Sequence, residues 1–210
     1  MKRPPMRRSA KIIVWLGAGF LIAAHAAAAG ERTWNVVGGA EPTEVVFHSK
    51  APMESFEGKT REVAGTVTLD PDDVAAIAID VTVDMVSLDT GIGLRNQHMR
   101  ENHLDTDEFP VATFTGGEIA QGGGPLAAGS PLELSVTGDL TIHGITQQIT
   151  VPITFALDAD GALRLSTEFP VELADYEISR PGFLVMKLGE TQRVEVTLRA
   201  VPAAAAAIAP

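Results

Sequence analysis

The residues best suited to chemistry gather in one stretch. Arg95, His98, Arg100 and His103 fall close together, and Asp105, Asp107 and Glu108 follow directly. Three chemistries fit these types. Arg95 and His98 could hold a polar or anionic head group through charge-assisted hydrogen bonds. His98 could serve as a general base. His98 and His103, with Asp105 or Asp107, could contribute to a metal site. The spacing argues against the metal: five residues of helix turn through about 140° beyond a full circle and leave one face, whereas helical zinc motifs place histidines four apart. The plain structural alternative is a solvated helix with local ion pairs.

Elsewhere the catalytic signals are weak. No G-x-S-x-G sequence is present, and no strand, Gly-rich loop and helix unit that would cradle a phosphate or dinucleotide. Gly91-Ile92-Gly93 lacks a third glycine, and Gly122-Gly123-Gly124 precedes no helix. Nothing marks the carboxylate pairs Asp72/Asp73 and Asp105/Asp107 as general acids. His143 ends a strand on its polar face, and Tyr176, the single tyrosine, reads as a packing anchor. No cofactor or catalytic residue is assigned.

The elements that must position these residues are strands. Ile77, Ile79, Val81, Val83 and Met85 alternate with polar or small residues. Leu132, Leu134, Val136, Leu140 and Ile142 do the same, as do Ile149, Val151, Ile153, Phe155 and Leu157. Leu163 and Leu165, Val194 to Leu198, and Val63 to Leu69 repeat the pattern. Period two with one apolar face is the signature of a half-buried antiparallel strand. Arg32–Val37, Thr43–Ser49 and Val111–Ile119 are weaker candidates. His143-Gly144-Ile145-Thr146 and Asp158-Ala159-Asp160-Gly161 read as tight turns, and 121–131 as a loose Gly/Pro loop. Only 91–104 breaks the alternation and reads as a helical insertion, with a shorter turn near 174–178. The expected fold is all-β, a closed or nearly closed antiparallel barrel of about eight strands with a short helical lid; full closure would leave no edge exposed.

An eight-stranded barrel is filled by side chains or holds one small ligand. The inward candidates are Phe47, Ile77, Ile79, Val81, Val83, Met85, Phe114, Leu134, Val136, Ile149, Val151, Ile153 and Phe155, with no acid or base among them. Aromatic residues are 5% of the chain, which leaves space between aliphatic side chains. A cavity lined this way suits a hydrocarbon-like ligand. Arg95, His98, Met99 and Arg100 are the expected mouth residues.

Composition narrows the function classes further. The chain has 210 residues and a net charge of −11, which disfavours nucleic acid, since phosphate binding needs clustered Lys and Arg. Cysteine is absent, which excludes disulfides, thiolate-ligated metals and thiol catalysis. Residues 1–29 carry a basic start, an apolar run from Ile12 to Ala24 and small residues after it, the order of a cleaved secretory signal. Its removal takes five of the 16 basic residues and none of the 27 acidic ones, leaving −16. The expected layout is signal peptide 1–29, a single domain 30–201, and a disordered Ala/Pro tail 202–210.

Two blocks resemble a known family. Ser87-Leu88-Asp89-Thr90-Gly91, then Arg95-Asn96-Gln97-His98-Met99-Arg100, then Glu108-Phe109-Pro110-Val111-Ala112-Thr113-Phe114 form the first. Val136 to Thr146 (VTGDLTIHGIT) forms the second. Both resemble the YceI-like family of periplasmic polyisoprenoid-binding proteins. The resemblance implies a lipocalin-like barrel, an apolar lumen holding a polyisoprenoid or isoprenoid-quinone-like chain, and basic lid positions at Arg95, His98 and Arg100. Asn96, Met99 and Glu101 depart from the family's Asp, Leu and Ser. The N-terminal block Val45-Val46-Phe47-His48-Ser49 is a reduced version of the family's.

The resulting expectation is a secreted, periplasmic carrier of an isoprenoid-type lipid. Transient contact with a membrane or membrane protein is compatible with it, and the oligomeric state is not specified. The alternatives are a small periplasmic enzyme or metal-binding protein using His98, and a structural or interaction protein with a filled core.

Overall fold

The computed structural model describes residues 30–50, 55–180, 182–183 and 186–204. The signal-peptide reading of 1–29 lies outside them. The elements, in chain order, are β1 (Arg32–Val36), β2 (Glu44–Lys50), β3 (Ser55–Thr60), β4 (Val63–Leu69), β5 (Ile77–Asp84), α1 (Gly93–Asn102), β6 (Val111–Gln121), β7 (Leu132–Ile142), β8 (Ile145–Leu157), β9 (Leu163–Glu172), a 3₁₀ turn (Leu173–Tyr176), β10 (Gly182–Phe183), β11 (Met186–Lys187) and β12 (Thr191–Pro202).

Eight antiparallel strands close on themselves in the order β1-β4-β5-β6-β7-β8-β9-β12, and β1 pairs with both β4 and β12 to complete the ring. This is the barrel expected from the period-two pattern. The free edge of β12 is divided. Its last residues, Ala200 to Pro202, pair with β1, while Arg193 to Thr197 pair with β2. The β2–β3 hairpin therefore continues the wall where β1 stops, and a bridge from Lys59 to Asp89 ties β3 to the chain entering α1. Pairing through Pro202, and an Ala203 N–H donated to Thr33 O at 2.8 Å, carry the ordered wall past the expected boundary at 201.

Strand β3 escapes the sequence pattern because its inward positions are Phe56, Gly58 and Thr60, which make no apolar alternation. Pro152 stands within β8, but β8 pairs with β9 only from Ile153 onward, so the missing N–H falls where that edge is unpaired.

One end of the barrel is plugged. Trp34 is 2% exposed and donates its indole N–H to Gly161 O at 2.9 Å. Around it pack Leu69, Val74, Leu126, Phe155, Leu163 and Ala200. Val74 and Leu126 come from two loops that bond to each other, Val74 N to Gly124 O and Leu126 N to Pro71 O. The 121–131 segment, expected as a loose loop, thus supplies the plug: burying Leu126 gives its backbone a fixed place.

Candidate functional site

The other end of the barrel holds two joined apolar chambers. The inner one, about 160 Å³, lies between the strands. The outer one, about 470 Å³, opens beneath α1 at the mouth. Phe47, Met85, Leu88, Ile142, Val171 and Val194 line both, so the two adjoin. An apolar cavity of about 150 Å³ can hold a benzene-sized group, and sites for larger ligands run from about 300 Å³ upward. The chamber is blind, because the Trp34 plug closes its far end.

Cross-strand register builds the inner wall. Val81 faces Phe114, which faces Leu140, and Phe47 faces Val194, which faces Phe169. Two glycines let the aromatic rings lie against the sheet. A Cβ on Gly58 would overlap the Phe47 ring, and one on Gly138 would meet the Phe114 ring.

Of the thirteen expected lumen residues, Phe47, Ile79, Val81, Val83, Met85, Phe114, Val151 and Ile153 line the inner chamber. Four others do not. Ile77, Leu134, Val136 and Phe155 point inward but are packed solid in the core that includes Trp34. Alternation tells which face of a strand is inward, not how far along the axis the plug extends. Ile149 is partly buried between the two core clusters and lines neither chamber. Sequence reasoning missed Phe169 and Val171, although the period-two signal of Leu163 and Leu165 continues through them. It also missed Phe56 and Leu188, which carry no such signal.

At the mouth, α1 buries none of its residues. Its start, Ile92, has no side-chain cap, and side-chain bonds instead tie its first turn to the preceding turn. Asn96 Oδ1 accepts from Thr90 N–H (2.8 Å) and Thr90 Oγ1 (2.6 Å), and its Nδ2 donates to Asp89 Oδ1 at 2.7 Å. Asp89 Oδ1 also accepts from Gly91 N–H at 2.8 Å. These bonds hold the Asp89 carboxyl below the ordinary carboxylate range, Asn96 contributing most. Arg95 donates to Thr90 Oγ1 (2.9 Å) and Thr90 O (2.7 Å), and its guanidinium sits 4.1 Å from the centre of the Phe56 ring.

Arg95, His98 and Met99 line the outer chamber, but Arg100 does not. Its guanidinium donates to Val86 O at 3.1 Å, and the helix turns it off the mouth. His103, not assigned to the site from sequence, does line it. Burial holds the His103 imidazole below the usual histidine range, against a bond to Ser179 O at 2.9 Å that pulls the other way. Behind α1, His143 joins three parts of the fold: its Nδ1 reaches Tyr176 O at 3.0 Å and its Nε2 reaches Asp105 Oδ2 at 3.1 Å, with Phe109 edge-on at 4.8 Å. Burial raises the affinity of the Tyr176 phenol for its proton. Among the described residues, no group of three or more His, Asp or Glu side chains is arranged to hold a metal ion.

These features define a closed antiparallel barrel with a blind apolar chamber under a polar lid. The chain belongs to the YceI-like domain family, whose model matches residues 35–200. Protein YceI of Shigella flexneri is 32% identical over 127 residues, covering 58% of this chain and 62% of that protein. The UPF0312 protein VVA0736 of Vibrio vulnificus is 33% identical over 133 residues, covering 60% of this chain and 67% of that one. The match thus spans less than two thirds of the Shigella relative's length. A polyisoprenoid-binding domain from Saccharophagus degradans, implicated in plant cell wall breakdown, superposes with a TM-score of 0.65 at 17% identity, covering 81% of this chain and 98% of that domain. Burkholderia cenocepacia BcnA superposes at 0.63 with 24% identity, covering 76% of this chain and 96% of that one. At these identities the superpositions speak for the fold.

Proposed function

We propose that this chain is a carrier that binds one isoprenoid-type lipid, tail in the inner chamber and head group at the mouth. The observation that carries this reading is the pair of adjoining apolar chambers, plugged at Trp34 and open beside Arg95 and His98. Apolar burial supplies the driving force, at about 25 cal/mol per Å² before the costs of association. The Saccharophagus domain of the same fold supports the ligand class. The basic, apolar and small-residue order of 1–29 supports export to the periplasm. Binding rather than catalysis is the activity proposed.

The mouth also supports a transient membrane contact. The large hydrophobic side chains exposed among the described residues, Val86, Ile92, Leu94 and Val111, all belong to the stretch that frames it. Leu94, at 64% exposed, and Ile92 also line the outer chamber. Apolar side chains on so acidic a body favour a zwitterionic surface over an anionic one.

Native mass spectrometry with lipid extraction, on protein from a periplasmic preparation, tests the carrier reading. A stoichiometric hydrophobic adduct is expected. A bare protein mass that persists after incubation with isoprenoid quinones and polyprenyl phosphates would refute it. For the membrane contact, Leu94→Asp is expected to slow uptake from phosphatidylcholine vesicles several-fold without altering the bound stoichiometry. An unchanged rate would remove the rim from the account.

A further inference from the structure

Hydrogen-bonding capacity at the mouth is lopsided. Gln192 is 5% exposed and lines the outer chamber. Its Nε2 donates to Gly189 O at 2.8 Å, while its Oε1 is buried with no partner. A buried acceptor without a donor is destabilising, and such groups are rare in folded proteins. His103 lines the same chamber. Its Nδ1 faces Ser179 O at 2.9 Å and Ser179 Oγ at 3.3 Å, so the ring proton sits on Nδ1 and Nε2 carries the lone pair. Burial lowers the imidazole's proton affinity, which favours this neutral form. Of the nearby donors, Arg95 gives Nε and a terminal nitrogen to Thr90.

Resting on the carrier reading, we infer that the mouth selects a lipid whose head group donates a hydrogen bond, a free hydroxyl, and that Gln192 Oε1 is its acceptor. The terminal torsion of a glutamine is soft, so the carboxamide can tip toward a donor without moving β12. Oε1 itself is buried, and Gln192 lines the chamber, so tipping the carboxamide about that torsion brings the oxygen to the chamber wall. An anionic or purely accepting head group would bring lone pairs against the lone pairs of Gln192 and His103. A hydroxyl turns one of these contacts into a bond. The chamber around it is mostly apolar, with Phe47 and Phe56 among aliphatic side chains, so the selected class is a long-chain isoprenoid alcohol or phenol.

The test compares geranylgeraniol with its methyl ether on the mature protein, by calorimetric titration in detergent below its critical concentration. The two share a tail and differ in the donor. The alcohol is expected to bind about tenfold more tightly, the consequence of one net hydrogen bond to a group otherwise unpaired. Gln192→Met should bring the two affinities together. Equal affinities in the unaltered protein would overturn the inference and leave the carrier reading standing. So would a preference that survives in Gln192→Met. Failure of both compounds to bind would bring down the carrier reading, and this inference with it. The comparison in the unaltered protein needs no variant to fold.

Discussion

Asn96 Nδ2 donates to Asp89 Oδ1 at 2.7 Å, joining the first turn of α1 to the strand exit that leads into it. The same side chain accepts twice from Thr90 through Oδ1. One amide thus serves as donor and acceptor, which no carboxylate can do. Asn96→Asp would keep the Thr90 bonds and place a second carboxylate against Asp89. Faster amide exchange at Thr90 and Gly91 is expected, with the unfolding midpoint nearly unchanged because the Asn96–Asp89 bond that is altered is exposed. Exchange rates equal to those of the unaltered protein would show that the network does not hold the lid. Asp89, held low by Asn96 and Gly91, contributes above the unfolded carboxylate pKa, and that contribution is lost as pH falls through its lower folded value.

Val81 on β5 and Ile153 on β8 both line the inner chamber. Val81→Trp or Ile153→Trp fills that space at a cost of about 1–3 kcal/mol for overpacking. Bound lipid per protein should fall toward zero while the far-ultraviolet circular dichroism is retained. An unchanged stoichiometry in folded variants would place the ligand elsewhere.

Trp15 and Trp34 are the chain's two tryptophans, so a variant beginning at Gly30 keeps Trp34 alone. Trp34 lies in the plug, so its emission should be blue-shifted and should change little on lipid binding. Trp34→Ala is expected to cost about 3–5 kcal/mol, read by urea denaturation. A loss below about 1 kcal/mol would mean that Val74 and Leu126 close the barrel without it.

His103 gives a pH dependence whose sign follows from its burial. Its folded pKa lies below the ordinary 6.5, so between those two values the unfolded chain binds the proton and the folded chain does not. Stability is therefore full above about 6.5 and declines as pH falls from there toward the folded value. His103→Leu should flatten this part of the stability profile. A nuclear magnetic resonance titration placing His103 above 6.5 would contradict the burial account.

The wall of the barrel was legible in the chain. Alternation at Ile77 to Val83, Leu132 to Ile142 and Ile149 to Leu157 declares one buried and one wet face, and antiparallel closure follows from strands joined by tight turns. The insertion at α1 was legible for the complementary reason, since 91–104 loses the alternation. Strand β3 was hidden because Gly58 and Thr60 occupy its inward positions.

Which inward residues face a chamber and which are packed solid was decided by the tertiary structure. Val81 and Val136 look alike in sequence, yet one lines the chamber and the other lies in the plugged half. The difference is distance along the barrel axis from Trp34 and from the loop residues Val74 and Leu126, a relation between segments far apart in the chain. The same holds at the mouth. Arg95 and Arg100 are equally basic, but helix rotation sends one to the chamber and the other to Val86 O. Gln192 became a site residue only because β12 and Gly189 leave its amide nitrogen satisfied and its oxygen alone. Local pattern sets which face of an element is apolar, while the volume left between elements depends on packing from the whole chain at once.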